Sequence, residues 1–492
     1  MKGNLMIRTG GIYLGLSLIS NFINLILTPI YTNSLTLEEY GSYSIISSYQ
    51  SLFSIFATLG IYSGMKRFFN EYEDKNRLKN IALTFSIVWG IIVVALNMIF
   101  ARQLAGLVFE SGARGGVYIR YVVTSSVLSC IISIYTAYYS MQYKALKASL
   151  IEIVKLALTL AFTLIFVVSY DGGITGILRS QCLSFAILLL ALIWADHKNI
   201  TPVWGKSELK DMLSYGVGMA GASDVLEWVL TLIDRYFLKV VAGYAAVAVY
   251  SIGYKVGMLI LPLFIAPFTN ALTPFKYGVY KEENGKRKLE EIFDHYNIIG
   301  WFMVLGISVY ANTAIKILAT EEYSQAFRIV PLIVIAYLLD GSCEFYSLGI
   351  HIEKKMALNL IIPGAATAIN IALNMALIPG MGAYGAAIAT IVSYFAMTVM
   401  YYFGGRAYYK MNIGLFSFLK AGIPFMMTYS LYLYFGLYEL GVLAELFFNT
   451  ALVAVYFIIC FLFGFIPKSY VGTSISFARE LFSKREVIED ED

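Results

Sequence analysis

Long apolar segments separated by short polar loops occupy almost the whole chain. Each is long enough to cross a bilayer as a helix, since about 20 apolar residues match a hydrocarbon core of roughly 30 Å. The sequence therefore predicts an all-α integral membrane protein with about 14 transmembrane helices, near residues 10–31, 41–63, 80–101, 117–142, 149–170, 173–195, 212–237, 242–270, 293–313, 327–350, 356–378, 383–404, 414–437 and 441–466.

The composition leaves no room for a large water-soluble domain, because 59% of the residues are hydrophobic and only 14% are charged. Lys2 and Arg8 precede the first apolar run, and no small-residue cleavage site follows it. The run is therefore predicted to be a retained first helix and not a removed signal peptide. Function is expected to reside within the membrane.

Basic residues are unevenly divided between alternate loops. With the N-terminus inside, 25 of the 36 Lys and Arg residues fall on the cytoplasmic side, and only six fall outside. Because basic loops stay in the cytoplasm, both termini are predicted to be cytoplasmic. The net charge of +4 is thus a topology signal and predicts no nucleic-acid partner.

Two halves of the chain share short strings at an offset of about 207 residues. Tyr-Ser-Ile occurs at 43–45 and at 250–252, and a Gly-x-x-Gly helix start occurs at 173–176 and at 382–385. Six spans per copy predict two lobes related by a pseudo-twofold axis along the membrane normal. The expected divisions are a first lobe at 1–205, a second lobe at 206–412, two further helices at 413–467 and an amphipathic cytoplasmic tail at 468–492.

Three strings carry a family resemblance: LTPIYTNSL at 27–35, IDRYFL at 233–238 and NIALN at 370–374. In their order and spacing they resemble strings of the Wzx-type polysaccharide-lipid flippases, within the multidrug/oligosaccharidyl-lipid/polysaccharide (MOP) exporter superfamily. The resemblance implies a flippase of the bacterial cytoplasmic (inner) membrane. By alternating access it would move an undecaprenyl-diphosphate-linked oligosaccharide for O-antigen, lipopolysaccharide, capsule or exopolysaccharide synthesis. Membrane lipids, a polysaccharide polymerase and a chain-length regulator are the implied partners.

Five basic residues lie within predicted spans, where each charge costs about 2.5–3.5 kcal/mol near mid-helix, and four of them are candidates for a role in function. They are Lys155, Arg179, Arg235 and Lys255. If the cargo is an anionic lipid diphosphate, these cations are the candidate substrate-binding residues. The alternative is structural pairing, of Lys155 with Glu152 and of Asp234 with Arg235 or Lys255.

Carboxylates within the spans raise the possibility of coupling to H⁺ or Na⁺. The candidates are Asp224, Glu227, Asp234, Asp340 and Glu344. The same groups would also suit binding of sugar hydroxyls or holding of neighbouring cations. Pro29, Pro262 and Pro267 are candidate hinges for alternating access, although a static kink would explain them equally.

Enzyme and cofactor motifs are weak in this chain. The GxGxxG string at 216–221 lies within a predicted span without a preceding strand, so it indicates close helix packing. The three histidines form no HExxH motif, there is no P-loop, and the four cysteines form no CxxC pair. A transporter without cofactor or metal is expected, and not an enzyme. The alternatives are a peptidoglycan-precursor flippase or drug/cation antiporter of the same superfamily and, from another class, a membrane polysaccharide polymerase.

Overall fold

A computed structural model of the protein describes residues 19–20, 22–108, 112–355 and 357–464. Part of the first predicted span and the predicted amphipathic tail at 468–492 lie outside these residues. The described chain forms helices joined by short loops. They are α1 (22–34), α2 (Leu37–Thr58), α3 (Ile61–Phe68), α4 (Lys75–Val108), α5 (Gly112–Met141), α6 (Ala145–Thr163), α7 (Gly173–Asp196), α8 (Lys206–Tyr215), α9 (Gly221–Gly257), α10 (Ala266–Val279), α11 (Gly285–Leu318), α12 (Val330–Tyr346), α13 (Leu348–Ile352), α14 (Leu358–Met381), α15 (Ala383–Arg406), α16 (Leu415–Ala421), α17 (Ile423–Tyr434) and α18 (Val442–Leu462).

Ten helical runs of the described chain are long and apolar enough to cross a membrane, or eleven if α2 and α3, bent by 53°, form one span. The longest, Lys206–Val279, has 74 residues. At about 1.5 Å per residue it far exceeds the thickness of a bilayer, so the chain must turn within it. Gly243, with φ 80° and ψ 180°, interrupts the helix there. The all-α, multi-pass membrane architecture is confirmed, and the count of 14 spans stays a prediction.

Local sequence explains where α2 begins and ends. Thr36 caps its first turn: the Glu39 amide donates to the Thr36 hydroxyl at 3.2 Å, and the Thr36 amide donates to the Glu39 carboxylate at 3.0 Å. This reciprocal pair is a capping box. At the other end Leu59 and Gly60 both have positive φ, 45° and 62°. That left-handed pair turns the chain by 53° into α3.

Helix α8 packs against the first half of the chain. Met212 of α8 is fully buried in an apolar cluster whose other members lie between residues 57 and 189. The Tyr72 hydroxyl donates to Asp211 at 2.5 Å, and the Arg77 Nε donates to Glu208 at 3.2 Å. The bond to Asp211 raises the pKa of Tyr72 to about 12, since ionised Tyr72 could not donate it. Helix α8, which precedes α9, is therefore fixed to the first half of the chain by polar bonds as well as by packing.

The two halves of the chain approach closely where α2 and the turn after it pack against the segment 216–244. A Cβ on Gly41 of α2 would lie 1.9 Å from the carbonyl oxygen of Tyr244, and one on Gly60 would lie 2.4 Å from that of Gly216. Glycine is required at both positions because the obstacle is backbone, which cannot rotate away. These contacts set the distance between α2 and α9.

Gly41→Ala is expected to destabilise the protein by about 1–3 kcal/mol or more, as overpacked interiors do. The physical reason is the 1.9 Å approach to the Tyr244 oxygen, which only separation of the two helices would relieve. The measurement is thermal unfolding of the purified protein in detergent. Gly278→Ala in α10 is the matched control, since its Cβ would have no neighbour within 4 Å. Equal melting temperatures for both variants would contradict the close approach.

Candidate functional site

The candidate site is a cavity of about 770 Å³ among α9, α10, α12, α14 and α15, with Ser51 contributed by α2. Acidic and aromatic side chains dominate its polar lining. The carboxylates are Glu227 of α9 and Asp340 and Glu344 of α12. Four tyrosine side chains share the walls, namely Tyr254, Tyr337, Tyr394 and Tyr401. No Lys or Arg occurs among the described residues that line this cavity.

The three carboxylates differ in their partners. Asp340 and Glu344 are four residues apart on α12 and therefore share one face of that helix. Glu344 forms an ion pair with Lys276 of α10 at 2.6 Å, and the Lys276 side chain is only 2% exposed. Within the described chain, the side chains of Glu227 and Asp340 form no hydrogen bond or ion pair. The cavity thus presents two uncompensated carboxylates.

Arg235, a predicted substrate-binding residue, lies one layer behind the cavity wall. Its guanidinium carbon is 4.7 Å from the ring centre of Tyr254, which lines the cavity. It also donates to the Thr231 carbonyl at 3.0 Å and pairs with Asp234 at 3.5 Å. Asp234 is fully buried and accepts hydrogen bonds from the Tyr250 hydroxyl and, at 2.8 Å, from the Arg235 amide. This arrangement is the one that the structural-pairing alternative describes for Asp234 and Arg235.

Lys155 and Lys255 also lie away from the cavity lining. Lys155 forms an ion pair with Glu152 one turn earlier on α6, as in the pairing alternative. The Lys255 Nζ donates to the Thr28 hydroxyl of α1 at 2.5 Å. Lys255 forms no ion pair within the described chain, so it joins α9 to α1 through a hydroxyl.

Arg179 lies on a helix face that the protein does not bury. It shares one stripe of α7 with Leu183, Ile187 and Leu190, which are 38%, 39% and 66% exposed. An unburied apolar stripe is typical of a surface that contacts lipid. The Arg179 Nε donates to the Tyr121 hydroxyl at 3.1 Å. The four predicted cations are therefore scattered and do not form one binding surface.

The remaining candidates lie on three segments. Asp224 is half-buried on α9, three residues before Glu227, and is outside the cavity lining. Pro29 lies within α1, Pro262 lies in a π-helical turn at Leu261–Ile265, and Pro267 begins α10. The wide turn relieves the clash that a proline causes inside a helix. Their roles in coupling and as hinges stay predictions.

Several groups at the cavity were not found from sequence. Lys276 falls in the loop between the predicted spans 242–270 and 293–313, but it lies in α10 and compensates Glu344. Tyr394 and Tyr401 are seven residues apart on α15 and so lie on one face of that helix. This spacing was the available signal for the two tyrosines. Nothing local in the sequence distinguishes Lys276 from its basic neighbours.

An apolar pocket of about 480 Å³ adjoins the cavity. It lies between α2, the π-helical turn Gly216–Ala220, α9 and α14, with Phe56, Val225 and Leu360 among its walls. Leu226 lines both this pocket and the cavity. The cavity that holds the carboxylates and the apolar pocket therefore share a wall residue.

This fold is that of the MOP-superfamily transporters. The chain is similar to the lipid II flippase MurJ in an inward closed conformation, with a TM-score of 0.69 and 14% identity over 92% of this chain and 98% of that one. It is also similar to an inward-facing multidrug resistance MATE transporter of the MOP superfamily, with a TM-score of 0.64 and 16% identity over 81% and 97% of the two chains.

Sequence comparison places the chain more closely. The profile of the family described as polysaccharide biosynthesis protein matches residues 34–328, which is more than half of the chain. The protein therefore belongs to the polysaccharide biosynthesis protein family, as the Wzx-type resemblance predicted. It is also 24% identical to an uncharacterised membrane protein of Methanocaldococcus jannaschii, over 75% of this chain and 78% of the relative. The chain thus combines the fold of the MOP-superfamily transporters with membership of the polysaccharide biosynthesis protein family.

Proposed function

We propose that this protein is a MOP-superfamily transporter, and specifically a flippase for an undecaprenyl-diphosphate-linked oligosaccharide. It moves the cargo by alternating access across the bacterial cytoplasmic membrane, with both of its own termini in the cytoplasm. The observation that carries the proposal is that the cavity with its carboxylates and tyrosines and the apolar pocket share Leu226 in their walls, which we call the junction. A headgroup of sugars needs polar surroundings and an isoprenoid tail needs apolar ones, and here the two adjoin.

The volume and the lining of the cavity support a sugar headgroup as its occupant. The cavity of about 770 Å³ lies within the range of roughly 300–1,000 Å³ that ligand pockets occupy. Moving a bare sugar headgroup through hydrocarbon would leave its hydroxyls without hydrogen bonds, at several kcal/mol for each group. A cavity with carboxylate and tyrosine side chains replaces those bonds. The similar fold of MurJ, which is a lipid II flippase, also supports a lipid-linked cargo.

The test is deletion of the gene followed by mass spectrometry of lipid-linked oligosaccharides in each leaflet. Accumulation of the completed repeat unit on the cytoplasmic leaflet, together with loss of surface glycan, is expected. Single units already on the outer leaflet without polymer would instead indicate a polymerase. An unchanged glycan would contradict the proposal and favour a drug or cation antiporter.

Leu226→Trp is expected to lower export of the glycan at least about 10-fold, because the larger ring would obstruct the junction between headgroup and tail. That loss corresponds to about 1.4 kcal/mol. Export is measured in the deletion strain complemented with each variant, at equal membrane abundance. Leu190→Trp, on an unburied stripe of α7, is the matched control and should export normally. Equal export by both variants would show that the cargo does not pass Leu226 during transport.

A further inference from the structure

We propose that the transported glycan carries an amine-bearing, positively charged sugar, which Glu227 and Asp340 recognise in the cavity. This inference rests on the proposed function and specifies the chemistry of its cargo. It reverses the charge expected from the sequence, which assigned recognition to cations. The diphosphate and the sugar are then recognised separately, with the acidic cavity serving the sugar.

The charge balance of the cavity is the first support. Its described lining holds three carboxylates and no Lys or Arg, and Lys276 compensates only Glu344. Glu227 and Asp340 have no partner within the described chain. Uncompensated carboxylates within a membrane are costly, and a cationic ligand would remove that cost. An ammonium group supplies three donors as well as the charge.

Two buried tyrosines provide an independent support. Tyr394 and Tyr401 are 3% and 8% exposed, and both line the cavity. Their hydroxyls form no hydrogen bond with the described residues, whereas Tyr254 and Tyr337 bond to each other at 2.9 Å. The two residues are nearly buried, but their hydroxyls are accessible from the cavity, so they are free to bond to a polar ligand there. Tyrosine rings also attract ammonium groups through their faces, which adds to the preference for an amine.

A neutral sugar hydroxyl could also donate to a carboxylate, so charge must be separated from hydrogen bonding. Glu227→Gln and Asp340→Asn keep the size and an acceptor oxygen but remove the charge. They should abolish the preference for an amine over a neutral sugar, because the amides can still bond to a hydroxyl but offer no charge to an ammonium group. Glu283→Gln, in the exposed loop before α11, is the matched control.

The experiment uses the full-length protein in proteoliposomes and two fluorescent probes. Both are undecaprenyl-diphosphate-linked disaccharides that differ only in one amino group, which is free in the first and N-acetylated in the second. The wild type is expected to translocate the free amine at least about 10-fold faster, the lower end of what a charge-assisted hydrogen bond of about 1.5–3 kcal/mol supplies. The Glu227→Gln/Asp340→Asn double variant should lose this preference, and Glu283→Gln should keep it.

Other results would overturn the inference in distinguishable ways. Equal rates for both probes in the wild type would reject amine recognition and leave the flippase function standing, without reference to any variant. Equal rates with loss of a Na⁺ or H⁺ dependence in the double variant would assign the carboxylates to ion coupling. Transport of a free cationic dye, with neither probe moved, would reject the flippase function as well.

Discussion

Asp234→Ala is expected to remove most of the folded protein from the membrane, and not merely to slow transport. Asp234 is completely buried, and its removal leaves Arg235 without its carboxylate and the Tyr250 hydroxyl without its acceptor. Breaking a buried pair by deleting one partner typically costs about 3–5 kcal/mol. The measurements are membrane abundance and the melting temperature of the purified protein.

Asp224→Ala on the same helix is the matched control, since Asp224 is only half-buried. Its melting temperature should stay near that of the wild type. The Asp234→Ala/Arg235→Leu double variant should recover part of the loss, because the uncompensated guanidinium is then gone. Normal abundance and melting temperature for Asp234→Ala, with transport abolished, would instead return Asp234 and Arg235 to the transport machinery.

The hydrogen bond between Tyr250 and Asp234 could not be predicted from hydropathy, which does not show which side chains come into contact. The segment around Gly243 turns the chain, so that residues 16 apart in sequence come into contact. Sequence placed Asp234, Arg235 and Tyr250 within adjacent predicted spans, and it offered pairing with Arg235 or with Lys255. Only three-dimensional packing shows which of the two cations is the partner of Asp234. Arg235 pairs with it, whereas Lys255 contacts Thr28.

The approximate positions of the long apolar helices along the chain were predictable for most elements, whereas rotation about each helix axis was not. The apolar runs gave the all-α membrane class, and the motif strings gave the family. Asp340 and Glu344 could be placed on one helix face by their spacing alone. The direction in which Arg179 or Lys155 points depends on which face the neighbouring helices cover. Contacts such as that of Gly41 with Tyr244 decide this, and they join residues about 200 apart.

This difference explains why a cationic site was expected and an acidic cavity was found. The sequence offered two interpretations of the cations within spans, cargo binding and structural pairing, and it gave no geometry with which to choose between them. Lys155 is compensated by Glu152. Lys276, which does compensate a cavity carboxylate, was assigned to a loop. In a membrane protein, the cations that serve structure and those that serve transport look alike until their partners are known.

Glu445→Leu is expected to detach the last two helices from the rest of the protein. Glu445 of α18 is completely buried, forms an ion pair with Lys316 of α11 at 3.1 Å and accepts hydrogen bonds from the Asn312 amide at 3.0 and 3.1 Å. Its loss leaves that amide and the Lys316 ammonium without their carboxylate. The side chain of Lys316 is 32% exposed and keeps part of its hydration. A loss toward the lower end of about 3–5 kcal/mol is therefore expected.

The readouts are the melting temperature in detergent and the rate of proteolysis between α15 and α16, where detached helices would expose the connecting loop. Glu439→Leu, an exposed carboxylate close to the same network, is the control and should leave both values unchanged. If Glu445→Leu keeps its melting temperature and protease resistance, the other contacts, such as the bond from the Asn449 amide to the Val309 carbonyl, hold α17 and α18 without this carboxylate. If both fall, a buried ion pair fixes these helices to α11, and they must move with it whenever the cavity opens or closes.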